Sequence, residues 1–196
     1  MAARLYDDRL GEALSWAAEL FACKARKAAP RHEGRAVPYV SHLLAVTALV
    51  LEHGGSQDEA IAAVLHDALE DIEGCDAAQI EARFGAPVAS LVLALSDTLH
   101  PGHKEPWRER KVKHLARLRT ASPAAKRIAL ADKVHNASTL VDEVALLGDA
   151  AFAPFTAGKD GTLWYYRAAL DALGDAPAPG LRARLAEAVQ ALERAR

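Results

Sequence analysis

Apolar side chains recur at three- and four-residue steps along most of this chain of 196 residues. That spacing places them on one face of an α-helix, whereas a half-buried strand would show strict alternation. Alanine outnumbers valine, isoleucine and threonine together by about two to one, and β-branched residues are the ones that suit strands. The sequence therefore predicts an all-α bundle of seven to nine helices and excludes a β-sandwich or barrel.

Capping residues and helix breakers divide the apolar pattern into separate helices. Ser56 with Glu59, and Asp76 with Gln79, have the spacing of capping boxes that begin helices. Ser122, followed by proline, begins a long helix that runs to a glycine at position 148. The other predicted helices cover residues 8–29, 39–53, 88–95, 107–119, 162–173 and 181–196.

The length of the chain suits one domain around one hydrophobic core. We expect residues 1–150 to form this core and residues 151–196 to add helices packed on the same domain. The last helix carries an apolar stripe that could either pack inward or contact a second copy of the chain, so a homodimer stays open. The stripe consists of Leu181, Leu185, Val189 and Leu192.

Charge and cysteine content restrict the partners and the compartment. The formal net charge of −2 gives no overall basic field, so we predict no nucleic-acid partner. No apolar run approaches the roughly 20 residues that a membrane span requires, so we predict no membrane partner. Cys23 and Cys75 lie far apart without a CxxC pair, as expected in a reducing compartment. These features and the lack of an N-terminal apolar block predict a cytoplasmic protein.

An unusual group of polar residues interrupts an apolar helix in the first half of the chain. His66 and Asp67 are adjacent there, and burying a carboxylate is costly unless a cation pairs with it. Glu70 and Asp71 follow four residues after them, one turn later on a continuous helix. Three crowded carboxylates raise one another's pKa unless a metal ion or basic groups compensate.

Two further polar residues fall on other predicted helices. His42 lies on the helix that begins at Tyr39, and Asp132 lies on the long helix after Ser122. Together with His66 and Asp67 they would supply two imidazoles and two carboxylates. This mixed donor set suits Mn²⁺, Fe²⁺ or Mg²⁺ in octahedral coordination better than a closed structural zinc site.

Each of these residues also has a purely structural interpretation. His42 could be a core histidine with its hydrogen bonds satisfied. Asp132 could be a core acid paired with Lys133 or Arg127, and the acidic pair at positions 70 and 71 could be the exposed end of a helix. Their joint spacing favours the metal site over these separate explanations.

Several motifs in order along the chain resemble those of the HD-domain phosphohydrolases. The branch they resemble most is the hydrolase half of RelA/SpoT proteins and the stand-alone small alarmone hydrolases, including the metazoan SpoT homologue. The resemblance covers roughly residues 14–147. The motifs are PYVSH at 38–42, AVLHDALED at 63–71, FG at 84–85, SD at 96–97 and LADKVHN at 130–136.

The resemblance implies an all-α enzyme that removes the 3′-pyrophosphate from guanosine tetra- or pentaphosphate. Glu70 and Asp71 would position or activate the attacking water. The implied metal is Mn²⁺, with Fe²⁺, Mg²⁺ and Zn²⁺ not excluded. The implied metal ligands are His42, His66, Asp67 and Asp132.

The same resemblance suggests residues that hold the nucleotide. Asn136 would lie near the ribose and phosphate. Arg31 matches the family's loop arginine best, and Arg35 competes with it because relatives often have lysine where His32 stands. Bidentate arginine suits a highly anionic substrate.

Two further candidates come from the second half of the chain. Lys111 lies in a basic segment that resembles one of the same family, although it could equally be a solvated helix face. Tyr165 is one of three consecutive aromatic residues and could stack on a purine, with core packing as its alternative role.

The sequence leaves other functions open. The same metal chemistry could act on an adenosine alarmone or on the 2′-phosphate of NADPH, because base and ribose selectivity depend on loop shape. A binding module without activity is a third interpretation, which the complete set of polar residues argues against.

Overall fold

The computed structural model describes residues 4–27, 36–97 and 105–195. These residues form nine α-helices of eight residues or more, a single-turn α-helix and a 3-10 segment, Gly148–Phe152. The predicted all-α class is confirmed. The α-helices are α1 (Asp8–Leu20), α2 (Val40–Glu52), α3 (Gln57–Leu65), α4 (Ala68–Asp71), α5 (Ala77–Phe84), α6 (Ala86–Leu95), α7 (Trp107–Thr120), α8 (Pro123–Leu147), α9 (Gly158–Ala172) and α10 (Pro179–Arg194).

Three of the predicted helix starts are confirmed by their capping contacts, whereas α6, α9 and α10 begin two to four residues earlier than predicted. Ser56 accepts a hydrogen bond from the amide of Glu59, whose carboxylate accepts one from the amide of Ser56. Asp76 and Gln79 form the same reciprocal pair at the start of α5. Ser122 accepts from the amide at position 125, and a proline fills the first helical position. These bonds satisfy amides that have no partner inside the helix.

The first helix is shorter than predicted, because α1 ends at Leu20 rather than at Ala29. The apolar pattern stops at Phe21, which is buried, and the next four residues are exposed. These residues have no apolar face to bury, so tertiary packing does not stabilise a helix there.

A short antiparallel contact follows α1 and reverses the chain. It pairs Ala25 with Pro38. The amide of Arg26 donates to the carbonyl of Val37 at 2.9 Å, and the amide of Tyr39 donates to the carbonyl of Lys24 at the same distance. Residues 24–26, which were expected to continue α1, therefore lie beside the start of α2.

The helix that begins after Ser56 is interrupted at His66 and Asp67, where a continuous helix was predicted. His66 Nδ1 donates to the carbonyl of Ala63 at 2.7 Å. In an uninterrupted helix that carbonyl would accept from the amide of Asp67. The break gives Asp67 a ψ angle of 0° and separates α3 from α4.

Helix α8 is the centre of the bundle and packs against α2, α3, α6 and α10. Arg127 of α8 forms an ion pair with Glu59 of α3. The apolar stripe of α10 packs inward, since Leu181, Leu185 and Leu192 are fully buried. That settles the alternative left open for this stripe. None of the described helices is long and apolar enough to cross a membrane.

Helices α7 and α9 pack through a small apolar cluster of their own. Leu115 of α7 contacts Tyr165 and Ala169 of α9 there, with Trp107 and Trp164 at its edge. Helix α7 also contacts α6, and its Lys111 lines a pocket together with Glu70 of α4.

Candidate metal centre

Two imidazoles and two carboxylates converge where α2, the break before α4 and α8 meet. His42 Nε2 lies 3.2 Å from Asp132 Oδ1 and 3.7 Å from Asp67 Oδ2. His66 Nε2 lies 3.1 Å from Asp67 Oδ2 and 3.8 Å from Asp132 Oδ1. Ligand atoms of His42, His66 and Asp67 all lie within 4.8 Å of one another. The fold thus brings together the four residues that the sequence suggested as metal ligands.

The two imidazoles are oriented by hydrogen bonds on their far side. Because His66 Nδ1 donates to the carbonyl of Ala63, the neutral ring carries its lone pair on Nε2. That atom is buried and has no hydrogen-bond partner among the described residues. His42 Nδ1 lies 2.8 Å from Nδ1 of His135, and with His42 as donor its Nε2 also presents a lone pair. Such contacts are typical of histidines that ligate metals.

The charges around these atoms call for a cation. Burial lowers the pKa of His42 and keeps its ring neutral. Burial also opposes a charge on His66, but the carboxylates of Asp67 and Asp132 outweigh it and raise the pKa of His66 well above its usual value. Without a metal ion, a proton on His66 thus supplies the positive charge. Two nitrogen lone pairs and two carboxylates around one point fit a divalent ion.

Neighbouring groups hold both carboxylates in place. The hydroxyl of Tyr39 donates to Asp67 Oδ2 at 2.6 Å. Lys133 and Asn136 both donate to Asp132, each at 2.5 Å. The ion pair between Asp132 and Lys133 that the sequence suggested is therefore present. Lys133 bonds Oδ2 of Asp132, so Oδ1 still faces both histidines.

Glu70 and Asp71 point into different surroundings. Glu70 lines the pocket beside the four converging residues, and its Oε1 accepts from the amide of Asp97 at 2.6 Å. Burial, followed by the charge of Asp67, raises the pKa of Glu70 to about 7. Asp71 is exposed and does not line this pocket. The break between α3 and α4 changes the geometry that a continuous helix would have given the pair.

The pocket includes three of the five residues suggested to bind substrate, namely Lys111, Asn136 and Tyr165. Arg31 and Arg35 lie outside the described residues. Sequence reasoning assigned no role in metal or substrate binding to several other lining residues: Arg26, Tyr39, Asp97, His114 and Lys133. Tyr39, Asp97 and Lys133 stood inside the quoted motifs, whereas nothing in the local pattern marked Arg26 or His114.

A profile of the HD domain matches residues 13–163, which is more than half of the chain. The chain belongs to the HD-domain family. It is 32% identical over 120 residues to the human guanosine-3′,5′-bis(diphosphate) 3′-pyrophosphohydrolase MESH1 and 34% identical over 120 residues to MESH1 of Xenopus tropicalis. Each match covers 59% of this chain and 63% of the relative, so the chain spans less than two thirds of these proteins.

A further relative is a probable guanosine-3′,5′-bis(diphosphate) 3′-pyrophosphohydrolase of Synechocystis, 34% identical over 106 residues. That match covers 53% of this chain and 14% of the relative.

Two solved structures resemble the HD-domain fold seen here. One is described as a metazoan ortholog of SpoT that hydrolyzes ppGpp and plays a role in starvation responses. It has a TM-score of 0.79 at 24% identity and covers 96% of this chain and 97% of the other. The second is a protein of Listeria monocytogenes EGD-e, with a TM-score of 0.64, 27% identity, and coverage of 76% and 96%. At 24% identity, the similarity to the first structure shows a shared fold and nothing further.

The pocket beside the HD-domain histidines is also lined by lysines of α7 and α8 and by a tyrosine of α9. Lys111 Nζ lies 5.0 Å from the centroid of the Tyr165 ring, and Lys133 Nζ lies 5.4 Å from it. Lys111 and Arg110 both pair with the carboxylate of Asp97. His114 is buried beside them, and burial followed by the charge of Lys133 lowers its pKa to about 3. Each of the two lysines is therefore paired with a carboxylate, while His114 is neutral.

Proposed function

We propose that this protein is a divalent-metal-dependent hydrolase that converts guanosine tetra- or pentaphosphate to GDP or GTP and pyrophosphate. One observation carries the proposal: His42 and His66 Nε2 converge on carboxylate oxygens of Asp67 and Asp132, beside a pocket that two lysines line. Similarity to the human and Xenopus 3′-pyrophosphohydrolases supports the choice of reaction and substrate.

The proposed metal is Mn²⁺, held by His42, His66, Asp67 and Asp132. A donor set of two imidazole nitrogens and two carboxylates is mixed rather than sulfur-rich, and it leaves coordination positions for water and substrate in an octahedral arrangement. Fe²⁺, Mg²⁺ and Zn²⁺ are the alternatives to be tested. When bound, such an ion lowers the pKa of a coordinated water and neutralises phosphate charge.

Glu70 is the proposed proton acceptor. Its carboxylate lines the pocket, and its pKa of about 7 is close to the value at which a general base works best near neutral pH. The amide of Asp97 holds one carboxylate oxygen, which leaves the other free to take a proton from the attacking water. Asp71 is proposed to assist by electrostatic positioning from the exposed end of α4.

Asn136, Lys111 and Tyr165 are proposed to bind the nucleotide. Asn136 is held by its hydrogen bond to Asp132, and Lys111 of α7 lines the pocket. Tyr165 is 8% exposed, so it presents an edge rather than an open face for stacking. In this proposal, residues 1–150 form the part of the domain that holds the metal, and residues 151–196 add Tyr165 to the substrate pocket.

We further propose that the protein acts in the cytoplasm without a nucleic-acid or membrane partner, and that a homodimer, if it forms, uses a surface other than the buried stripe of α10. The net charge of −2 supports the exclusion of nucleic acid. Analytical ultracentrifugation measures the oligomeric state directly, with one sedimenting species at twice the chain mass as the result expected of a homodimer.

The decisive experiment measures pyrophosphate release from guanosine tetraphosphate by metal-stripped protein, with and without added Mn²⁺. The Asp67→Ala variant is the control for contaminating hydrolases. Mn²⁺-dependent release by the wild type alone supports the proposal. An adenosine alarmone and NADPH are run in parallel. Release of phosphate or pyrophosphate only from one of these would keep the metal chemistry and replace the substrate, and no release from any of them would contradict the enzyme assignment.

A further inference from the structure

We propose that Arg26 binds the pyrophosphate group that the enzyme removes. This inference rests on the proposed function and adds to it a residue that the sequence motifs do not mark. It also gives the phosphate-binding arginine a position earlier in the sequence than Arg31 and Arg35.

Among the described residues, Arg26 is the pocket-lining cation that has no carboxylate partner. In the described part of the chain, three strong cations line the pocket: Arg26, Lys111 and Lys133. Lys111 pairs with Asp97, and Lys133 pairs with Asp132. No carboxylate of the described chain pairs with Arg26, so its guanidinium is the lining cation that is ready for an anion.

The guanidinium of Arg26 is nonetheless held in one place. One terminal nitrogen donates to Asn136 Oδ1 at 2.7 Å, and the group lies 5.8 Å from the centroid of the Tyr39 ring. The backbone contact between Ala25 and Pro38 fixes the strand-like segment that carries it. The Asn136 oxygen is neutral and uses only part of the five-donor fork, so the remaining N–H groups are available.

The position of Arg26 indicates which phosphate group of the substrate it binds. Asn136 bonds to Arg26 through its oxygen and to Asp132 through its nitrogen. A single side chain therefore separates the guanidinium from a proposed metal ligand. The phosphate group next to that ligand is the one being hydrolysed, so Arg26 is expected to hold the departing pyrophosphate rather than the 5′-phosphates.

The test compares wild type, Arg26→Gln and Arg26→Lys in the Mn²⁺-loaded protein. Calorimetry measures the affinities for inorganic pyrophosphate and for GDP, and steady-state assays measure kcat and KM for guanosine tetraphosphate. We expect Arg26→Gln to weaken pyrophosphate binding by about 10- to 100-fold, the usual range for a hydrogen bond to a charged group. Arg26→Lys should recover part of this loss because it keeps the charge but not the fork. GDP affinity should be unchanged.

Arg83→Gln is the matched control. Its guanidinium also lies over an aromatic ring, 4.5 Å from the centroid of Trp16, but it lines a different cavity. Metal content and melting temperature of every variant are measured alongside. Pyrophosphate affinity within twofold of wild type in Arg26→Gln, a loss confined to GDP, loss of the metal, or no pyrophosphate binding by wild type would each overturn the assignment.

The outcome separates this inference from the proposed function. If wild type does not hydrolyse guanosine tetraphosphate but binds pyrophosphate through Arg26, the substrate is wrong and the phosphate-binding role stands. If wild type hydrolyses it and Arg26→Gln behaves like Arg83→Gln, the function stands and the role of Arg26 is wrong.

Discussion

The amide of Asp97 donates a 2.6 Å hydrogen bond to Oε1 of Glu70. The carboxylate of the same Asp97 pairs with Arg110 and Lys111 of α7. Arg117 adds a bond from its guanidinium to the carbonyl of Ser96 at 2.8 Å. The proposed proton acceptor and the basic helix above the pocket are thus joined through the two residues that follow α6.

Replacing Asp97 with asparagine should destabilise the protein. The carboxylate is 5% exposed, and its partners Arg110 and Lys111 are 17% and 19% exposed. Leaving two mostly buried cations without their counter-ion should cost about 2 kcal/mol of unfolding free energy, measured by urea denaturation. Glu105→Gln is the control, since its ion pair with Lys113 is exposed and should contribute less than about 0.5 kcal/mol. Equal effects of the two variants would contradict the role given to Asp97.

Asp67→Ala should lose both the metal ion and the hydrolysis. Asp67 Oδ2 is the oxygen that both histidines face, and its removal leaves an incomplete donor set. We expect the metal content, measured by inductively coupled plasma mass spectrometry, to fall from near one ion per chain to a small fraction of that. Asp58→Ala removes a surface carboxylate paired with Arg9 and should keep its metal. Full metal occupancy in Asp67→Ala would refute the ligand assignment.

Glu70→Gln should keep the metal and lose most of the turnover. The amide side chain is nearly the same size and can still accept from the amide of Asp97, but it cannot take up a proton. Loss of a general base lowers kcat by about 10²- to 10⁴-fold. Metal analysis and steady-state kinetics of one preparation separate this outcome from a defect in metal binding. Turnover equal to that of wild type would remove Glu70 from the mechanism.

Glu70 should also make the metal-free protein less stable as the pH rises. Its pKa is about 7 in the folded chain, against 4.5 for an ordinary glutamate. Below pH 4.5, Glu70 is protonated in both the folded and the unfolded chain, and its contribution to the free energy of unfolding is fully present. That contribution is lost as the pH rises through 7, because folding must then desolvate a carboxylate. With an allowance for partial exposure, the loss should be about 2 kcal/mol.

The comparison that isolates this effect is between wild type and Glu70→Gln without metal. Unfolding free energies are measured at about pH 5 and about pH 8. The glutamine variant should gain stability relative to wild type at the higher pH, because it stays neutral at both. A difference between the two proteins that does not change with pH would show that burial does not perturb Glu70.

The sequence alone determined the helical class and pointed to the four residues that meet at the candidate metal centre. Helix starts are local, because a cap such as Ser56 bonds an amide three residues away. The buried polar residues were visible for a similar reason. A charged residue in an apolar helix, such as Asp67, requires a partner wherever the helix lies.

Only the tertiary structure decided how α1 ends and how α3 is interrupted, and these two features set the arrangement of the pocket. Local pattern predicted a helix through Arg26 and another through Asp67. Burial ends at Phe21, and the His66 ring competes for the carbonyl of Ala63, so both helices stop early. Arg26 then meets Asn136, which is 110 positions further along the chain. No local signal encodes that contact, because it depends on the antiparallel contact between Ala25 and Pro38 and on the packing of α8.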